Sequence, residues 1–286
     1  MNIYDETKFI LKKYGITANK SLGQNFLIND SVVEQIVNSA EINKEDLIIE
    51  IGPGLGTLTK ELLEKAGKVI AVELDKRMIE ILTDRFNLYT NFELINDDIL
   101  KVDLNKLIND NLNILELGLK KVKIVANLPY YITTPIIMKL LEEKLNIDSI
   151  TVMIQKEVAD RLIEIPGGKN TGAITYSVYY YAEARKVLNV MPNSFIPEPA
   201  VESEVIRLKI RHKNIVEVRN EELMFKIIKY AFMQRRKTLV NALEKTDLFK
   251  DKTDIINILK KLDIDERIRG EKLTLEQYAK IANELC

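Results

Sequence analysis

A chain of 286 residues with 42 basic and 43 acidic side chains has room for one large and one small domain, and its net charge of −1 leaves no overall basic field. Contact with nucleic acid must therefore come from local patches; residues 212–286 carry about +3 and the remainder about −4. Cys286 is the only cysteine and His212 the only histidine, which rules out an intrachain disulfide and argues against metal sites of cysteine or several histidines and against Ser-His-Asp or Cys-His catalysis.

Residues 1–20 are charged throughout and lack the apolar centre of a secretion signal, and no run approaches a membrane span. A cytoplasmic protein without metal or membrane attachment is expected. The same residues predict a short amphipathic helix, with Phe9, Ile10, Leu11 and Tyr14 as its apolar side, ending at Gly15. A polar loop follows, Lys20-Ser21-Leu22-Gly23-Gln24-Asn25-Phe26-Leu27, and then a helix over residues 31–40, where Val32, Val33, Ile36 and Val37 recur at helical spacing.

Residues 47–51 form a nearly continuous apolar run, as a parallel strand covered on both faces requires. They lead into Gly52-Pro53-Gly54-Leu55-Gly56 and a helix over 57–65. A second strand over 67–73 ends on Glu73, a helix spans 76–86, a third strand 92–95, and Asn96-Asp97-Asp98 makes a turn. After a looser helical stretch, a strand over 122–126 stops at Asn127-Leu128-Pro129-Tyr130, and Pro135 opens a helix. A strand over 149–154 and a helix over 156–163 complete the rhythm of a doubly wound α/β sheet. Beyond a loop over 166–172, a helix is predicted over 173–182 with packing tyrosines, and strands over 187–190 and 205–210. Between those strands a proline-stiffened loop displays Phe195. A boundary near residue 211 separates this domain, 1–211, from an all-helical one, 212–286, with helices over 221–243, 252–262 and 275–285.

The glycine turn admits a ligand close to the backbone, and Glu73, 21 residues after Gly52, is placed to accept from both hydroxyls of a ribose. A dinucleotide would favour G-x-G-x-x-G; the spacing Glu50-x-Gly52-x-Gly54-x-Gly56 suits S-adenosylmethionine better. Asp98 is either an acceptor for an adenine amine or a helix cap, and Asp97 competes for the first role. At Asn127-Leu128-Pro129-Tyr130 a side-chain carbonyl, a backbone carbonyl, a stiff proline and a flat ring meet. This is either a plain strand-to-helix turn or a grip on the exocyclic amine of an unstacked base. In the second case Asn127 and Leu128 hold the two hydrogens of adenine N6 while Tyr130 and Phe195 sandwich the ring. Phe195 has the alternative of covering the core.

The chain resembles the ribosomal RNA adenine N6-dimethyltransferases, specifically the bacterial small-subunit enzymes. The likeness runs nearly end to end: the Lys20-to-Leu27 loop; Glu50-Ile51-Gly52-Pro53-Gly54-Leu55-Gly56-Thr57-Leu58-Thr59; Val72-Glu73-Leu74-Asp75; Asn127-Leu128-Pro129-Tyr130-Tyr131-Ile132-Thr133-Thr134-Pro135; Gln155-Lys156-Glu157-Val158-Ala159; Ser194-Phe195-Ile196-Pro197; and Gln234-Arg235-Arg236-Lys237-Thr238-Leu239. The resemblance implies that Asn25, Leu27, Gly52, Glu73, Asp98 and Asn127 contact S-adenosyl-L-methionine. It implies as substrate two adjacent adenines near the 3′ end of 16S rRNA in the 30S subunit or its precursor, each methylated twice during ribosome biogenesis by a monomer. It also favours RNA contact over a merely solvated face for Arg235, Arg236 and Lys237, which fan around roughly 200° if their stretch is helical. The rival readings are the macrolide-resistance enzymes that modify 23S rRNA and an RNA-binding assembly factor without catalysis.

Overall fold

The computed structural model describes residues 1–19, 22–113 and 118–286, so Lys20 and Ser21 of the polar loop lie outside the described residues. The chain packs as two units, residues 1–159 with 184–210, and residues 160–183 with 211–286.

In chain order the first unit begins with α1 (Ile3–Lys13), β1 (Phe26–Leu27), α2 (Asp30–Ser39), β2 (Asp46–Ile51) and α3 (Thr57–Lys65). It continues with β3 (Lys68–Glu73), α4 (Lys76–Phe86), β4 (Phe92–Asn96), α5 (Leu104–Leu112), β5 (Lys121–Asn127), α6 (Thr133–Glu142) and β6 (Ser149–Gln155). After α7 (Lys156–Ile163) and α8 (Ala173–Tyr181), which from Asp160 onward belong to the second unit, the first unit resumes within β7 (Ala182–Val190) and continues with β8 (Phe195–Ile196) and β9 (Ser203–Ile210). Seven strands form one sheet in the order β4-β3-β2-β5-β6-β9-β7. Neighbours from β4 to β6 are parallel, and β9 returns antiparallel to β6. The expected doubly wound sheet is present.

Burial explains the order. Every residue of β2 is buried, as a central strand covered on both faces must be, whereas no residue of the edge strand β4 is. On one face Ile36 of α2, Leu62 of α3 and Ile81 of α4 pack in one apolar core with Ile48, Val69 and Val125 of the strands. Helix starts are set by short polar side chains: Asn29 accepts from the Val32 N–H and Asp75 from the Arg77 N–H. At the start of α3 the cap is Gly56, with φ +83°; a Cβ there would stand 2.5 Å from the Phe86 ring, so only glycine fits the turn.

Phe195 is not displayed. It is 2 % exposed, pairs with Leu27 across the two-stranded β1–β8 ladder, and belongs to the same apolar core. Burying a ring of this size is worth about 1.5–3 kcal/mol, and the short ladder turns it inward, so it offers no face to a base.

The second unit holds α9 (Glu221–Met233), α10 (Leu239–Leu243), α11 (Lys252–Lys261) and α12 (Leu275–Glu284). It also takes in residues 160–183, so its division from the first unit departs from a single cut after residue 211. The reason lies in α8. Tyr176 meets Phe232 and Tyr278 edge to face at 5.6 and 5.1 Å and donates to the Leu273 carbonyl at 2.6 Å, while Tyr180 meets Phe225 at 5.4 Å.

The helix expected over 221–243 is two helices. Gln234 leaves helical geometry (φ −125°, ψ 47°), the Lys237 N–H donates to the Gln234 carbonyl at 2.8 Å, and the Thr238 hydroxyl caps α10. Residues 234–238 are all polar, so no apolar face holds the helix together there. Arg235, Arg236 and Lys237 accordingly sit in a turn and do not fan around a helix. Among the described residues no helix is long and apolar enough to cross a membrane.

Candidate active site

The strand order reverses between β2 and β5, and in open α/β sheets ligands bind at the carboxyl ends of the strands at such a point. The two strands are parallel neighbours with Ile51 opposite Ala126. Gly52, just past the end of β2, and Asn127, the last residue of β5, are therefore neighbours, and the glycine turn and the Asn127-to-Tyr130 corner line one cleft.

Glu73, at the end of β3, faces the same cleft and is buried. One carboxylate oxygen accepts from the Gly54 N–H at 3.0 Å and the other from the Asp75 N–H at 2.8 Å. Burial pushes this carboxyl above its ordinary range, and the backbone donors oppose that shift. The strand end is tied to the loop before β1: Gln24 donates to Asp75 at 2.9 Å, and Arg77, 2.5 Å from the same carboxylate, holds Asp75 below its usual range.

Asn127 is half-buried, and its amide nitrogen donates to the Asn25 carbonyl at 3.4 Å. A backbone carbonyl can only accept, so this contact fixes the amide with its nitrogen toward Asn25 and its oxygen available to another donor. The Leu128 side chain is buried while its N–H donates to the Met153 carbonyl at 3.1 Å, anchoring the corner to β6. The Pro129 carbonyl accepts from the Thr133 hydroxyl at 3.0 Å, which braces the turn into α6. Tyr130 is half-buried, with its hydroxyl 2.5 Å from that of Ser203.

Of the other expected site residues, Asn25, Leu27 and both Asp97 and Asp98 line the cleft. Asp98 is half-buried and accepts from the Leu100 N–H at 3.0 Å, and Asp97 is exposed and accepts from the Asp98 N–H at 2.7 Å. Both therefore act as turn caps, with further lone pairs left over. Phe195 is not among the cleft residues, and Arg235, Arg236 and Lys237 belong to the other unit.

Three residues carry more than their sequence pattern foretold. Glu50 is 1 % exposed on the cleft wall, accepts from the Thr59 hydroxyl at 2.6 Å, and is pushed up to about 8 by burial, so it holds its proton near neutral pH. An acid inside an apolar strand was the available signal. Tyr131 is 56 % exposed at the cleft, where its ring packs over Gly23. Ser203, fully buried at the start of β9, has no sequence pattern that would single it out.

A doubly wound sheet with a glycine turn and a buried acid lining the cleft at its switch point is a Rossmann-like methyltransferase fold. A family model described as ribosomal RNA adenine dimethylase matches residues 15–286, and the chain belongs to that family. It is similar to Ribosomal RNA small subunit methyltransferase A of Alkaliphilus oremlandii, 49 % identical over 98 % of this chain and 96 % of that one. The protein of the same name from Clostridioides difficile is 47 % identical over 99 % of this chain and 96 % of its own. Among solved structures, a dimethyladenosine transferase from Plasmodium falciparum superposes with a TM-score of 0.73 at 27 % identity, covering 90 % of this chain and 95 % of that one. The 23S rRNA methyltransferase ErmE gives 0.67 at 23 % identity over 91 % of this chain and 99 % of its own, a likeness of fold alone.

Proposed function

We propose that the chain transfers methyl groups from S-adenosylmethionine to N6 of two adjacent adenines near the 3′ end of 16S rRNA in the small ribosomal subunit, dimethylating each during ribosome biogenesis. The observation that carries this reading is the register of two strand ends: with Ile51 opposite Ala126, the glycine turn and the Asn127 corner open into one cleft. Relatives named for the small subunit, similar over nearly their whole length, support the choice of RNA.

The residues fit the cofactor. Glu73 accepts from the backbone N–H groups of Gly54, Leu74 and Asp75, and its two oxygens together have about four lone-pair sites, so the carboxylate can still accept from a ribose hydroxyl. Gly52 and Gly54 admit a ligand close to the backbone, Asn25 and Leu27 wall the same cleft, and Asp98 accepts from the adenine amine. When bound, S-adenosylmethionine supplies a methyl group on a sulfonium, which an amine lone pair can take directly.

The chain's own work is done on the substrate. Adenine N6 is a poor nucleophile because its lone pair is delocalised into the ring. In the first transfer the Asn127 side-chain oxygen and the Leu128 carbonyl each accept an N6 hydrogen, and in the second one of them holds the hydrogen that remains; both contacts draw the nitrogen toward tetrahedral geometry, which frees the lone pair. Tyr130 stacks on the unpaired base. The nitrogen forms its bond to the methyl as the methyl–sulfur bond breaks and the sulfur leaves as a neutral thioether, and the extra proton on the nitrogen passes to solvent water. Positioning and electrostatics carry the rate. In the second unit, the exposed turn at Arg236 and Lys237 contacts RNA phosphates.

Labelled methyl transfer to unmethylated small subunits, followed by nucleoside analysis, should yield N6,N6-dimethyladenosine, with primer extension stopping at the two adjacent adenines. A stop found only on large-subunit RNA would replace this reading with the macrolide-resistance one. RNA binding without any transfer would leave an assembly factor.

A further inference from the structure

We propose that Ser203 is a positioning residue for the base site: its hydroxyl holds the Tyr130 phenol and so fixes the ring on which the target base stacks. The inference rests on the function proposed above. It starts from the rings available at the cleft, which are Phe26, Tyr130 and Tyr131. Phe26 is buried in the core and Tyr131 stands out over Gly23, which leaves Tyr130 as the half-buried ring next to the Asn127 corner. With Phe195 in the core, no second face from that loop clamps the base, and the orientation of Tyr130 matters the more.

A tyrosine ring swings about two side-chain torsions, and a hydrogen bond at its far end has the longest lever against that motion. The Tyr130 hydroxyl lies 2.5 Å from the Ser203 hydroxyl. Ser203 is fully buried and sits on the ladder that carries the site: Asn127 is opposite Met153, Met153 opposite Val205, and Gln155 opposite Ser203. The anchor therefore belongs to the rigid sheet that also sets Asn127. Burial pushes the phenol above its ordinary pKa, so it stays neutral and able to donate. Without Ser203 the phenol would lose its partner in a half-buried setting, and turning toward water would be the more favourable outcome.

The test is a double-mutant cycle on the full chain, with small subunits as substrate. Ser203→Ala should lower kcat about 5- to 20-fold, with the dissociation constant for S-adenosylmethionine unchanged within about twofold; contacting pairs commonly couple on this scale. Tyr130→Phe removes the same bond from the other side and should match that loss. The double variant should be no slower than the slower single variant. Wild-type kcat in Ser203→Ala, or losses that multiply, would overturn the proposal. If Ser203→Ala does not fold, Tyr130→Phe decides alone, since an undiminished kcat there removes any role for the bond. Absence of transfer by the wild type would sink the function and this inference together, whereas an active wild type with an equally active Ser203→Ala sinks the inference only.

Discussion

At the scale of single residues, polar groups of the cleft already have part of their hydrogen-bonding capacity committed within the chain. Asn127 gives its amide nitrogen to the Asn25 carbonyl, which leaves its oxygen as the acceptor at the cleft. Asn127→Ala should therefore lower methyl transfer by about 10²–10³-fold or more, the scale of losing a transition-state acceptor or donor, while RNA binding measured by filter retention is largely preserved. Wild-type-like turnover in that variant would remove the amide from the mechanism. Glu50 makes a different commitment, since burial pushes its carboxyl from 4.5 up to about 8. Between those two values the folded chain holds a proton that the unfolded chain has released. Stability from this group is thus fully present below pH 4.5 and is lost as pH rises toward about 8. The loss approaches about 1.4 kcal/mol per pH unit at its steepest, as an upper bound. Glu50→Gln keeps an acceptor for the Thr59 hydroxyl but cannot ionise. Its Tm relative to wild type should rise across that pH window, and a constant difference would mean that Glu50 titrates normally.

At the scale of elements, the loop carrying Phe195 is a strand of the core. Phe195→Ala should cost about 3–5 kcal/mol in urea unfolding, the range for emptying a buried aromatic site, whereas a ring on the surface would cost within about 0.5 kcal/mol. The parallel strands and their helices were legible because burial on both faces writes a continuous apolar run, as in residues 47–51, and burial on one face writes a helical stripe, as at Val32, Val33, Ile36 and Val37. The glycine-turn side of the cleft was legible for the same reason: a strand end followed by glycines at fixed spacing has few structural solutions. What sequence could not convey depends on distant partners. The inward turn of Phe195 needs its pairing with Leu27, about 170 residues away in the chain, and the Ser203 anchor needs a tyrosine 73 positions earlier. The break after α9 was obscured because Arg and Lys are good helix formers; Thr238 as a cap for α10 decides against continuation. Residues 160–183 read as part of the sheet domain because the sequence does not say which core Tyr176 and Tyr180 will fill.

At the scale of the whole molecule, 42 basic and 43 acidic groups cancel, so RNA is not drawn in by a global field and binding must depend on where cations remain unneutralised. In the second unit several are paired with carboxylates: Arg235 lies 2.5 Å from Glu271, Lys226 3.0 Å from Asp247 and Lys261 2.5 Å from Glu284. Arg236 and Lys237 are exposed in the turn between α9 and α10, where two neighbouring cations can approach one stretch of backbone more readily than on a helix that sends them around its axis. Each phosphate neutralised by a side chain releases a condensed counterion, so the dependence of binding on salt reports how many phosphates are engaged. Reversing Arg236 and Lys237 to Glu should weaken binding to small subunits and flatten the plot of log K against log salt by about 0.7–0.9 for each phosphate no longer neutralised. Arg235→Glu should flatten it less, because Glu271 already offsets that charge. A slope that stays put in the Arg236/Lys237 variant would move the RNA-binding surface elsewhere, and a larger effect at Arg235 would mean that RNA displaces Glu271 from its guanidinium.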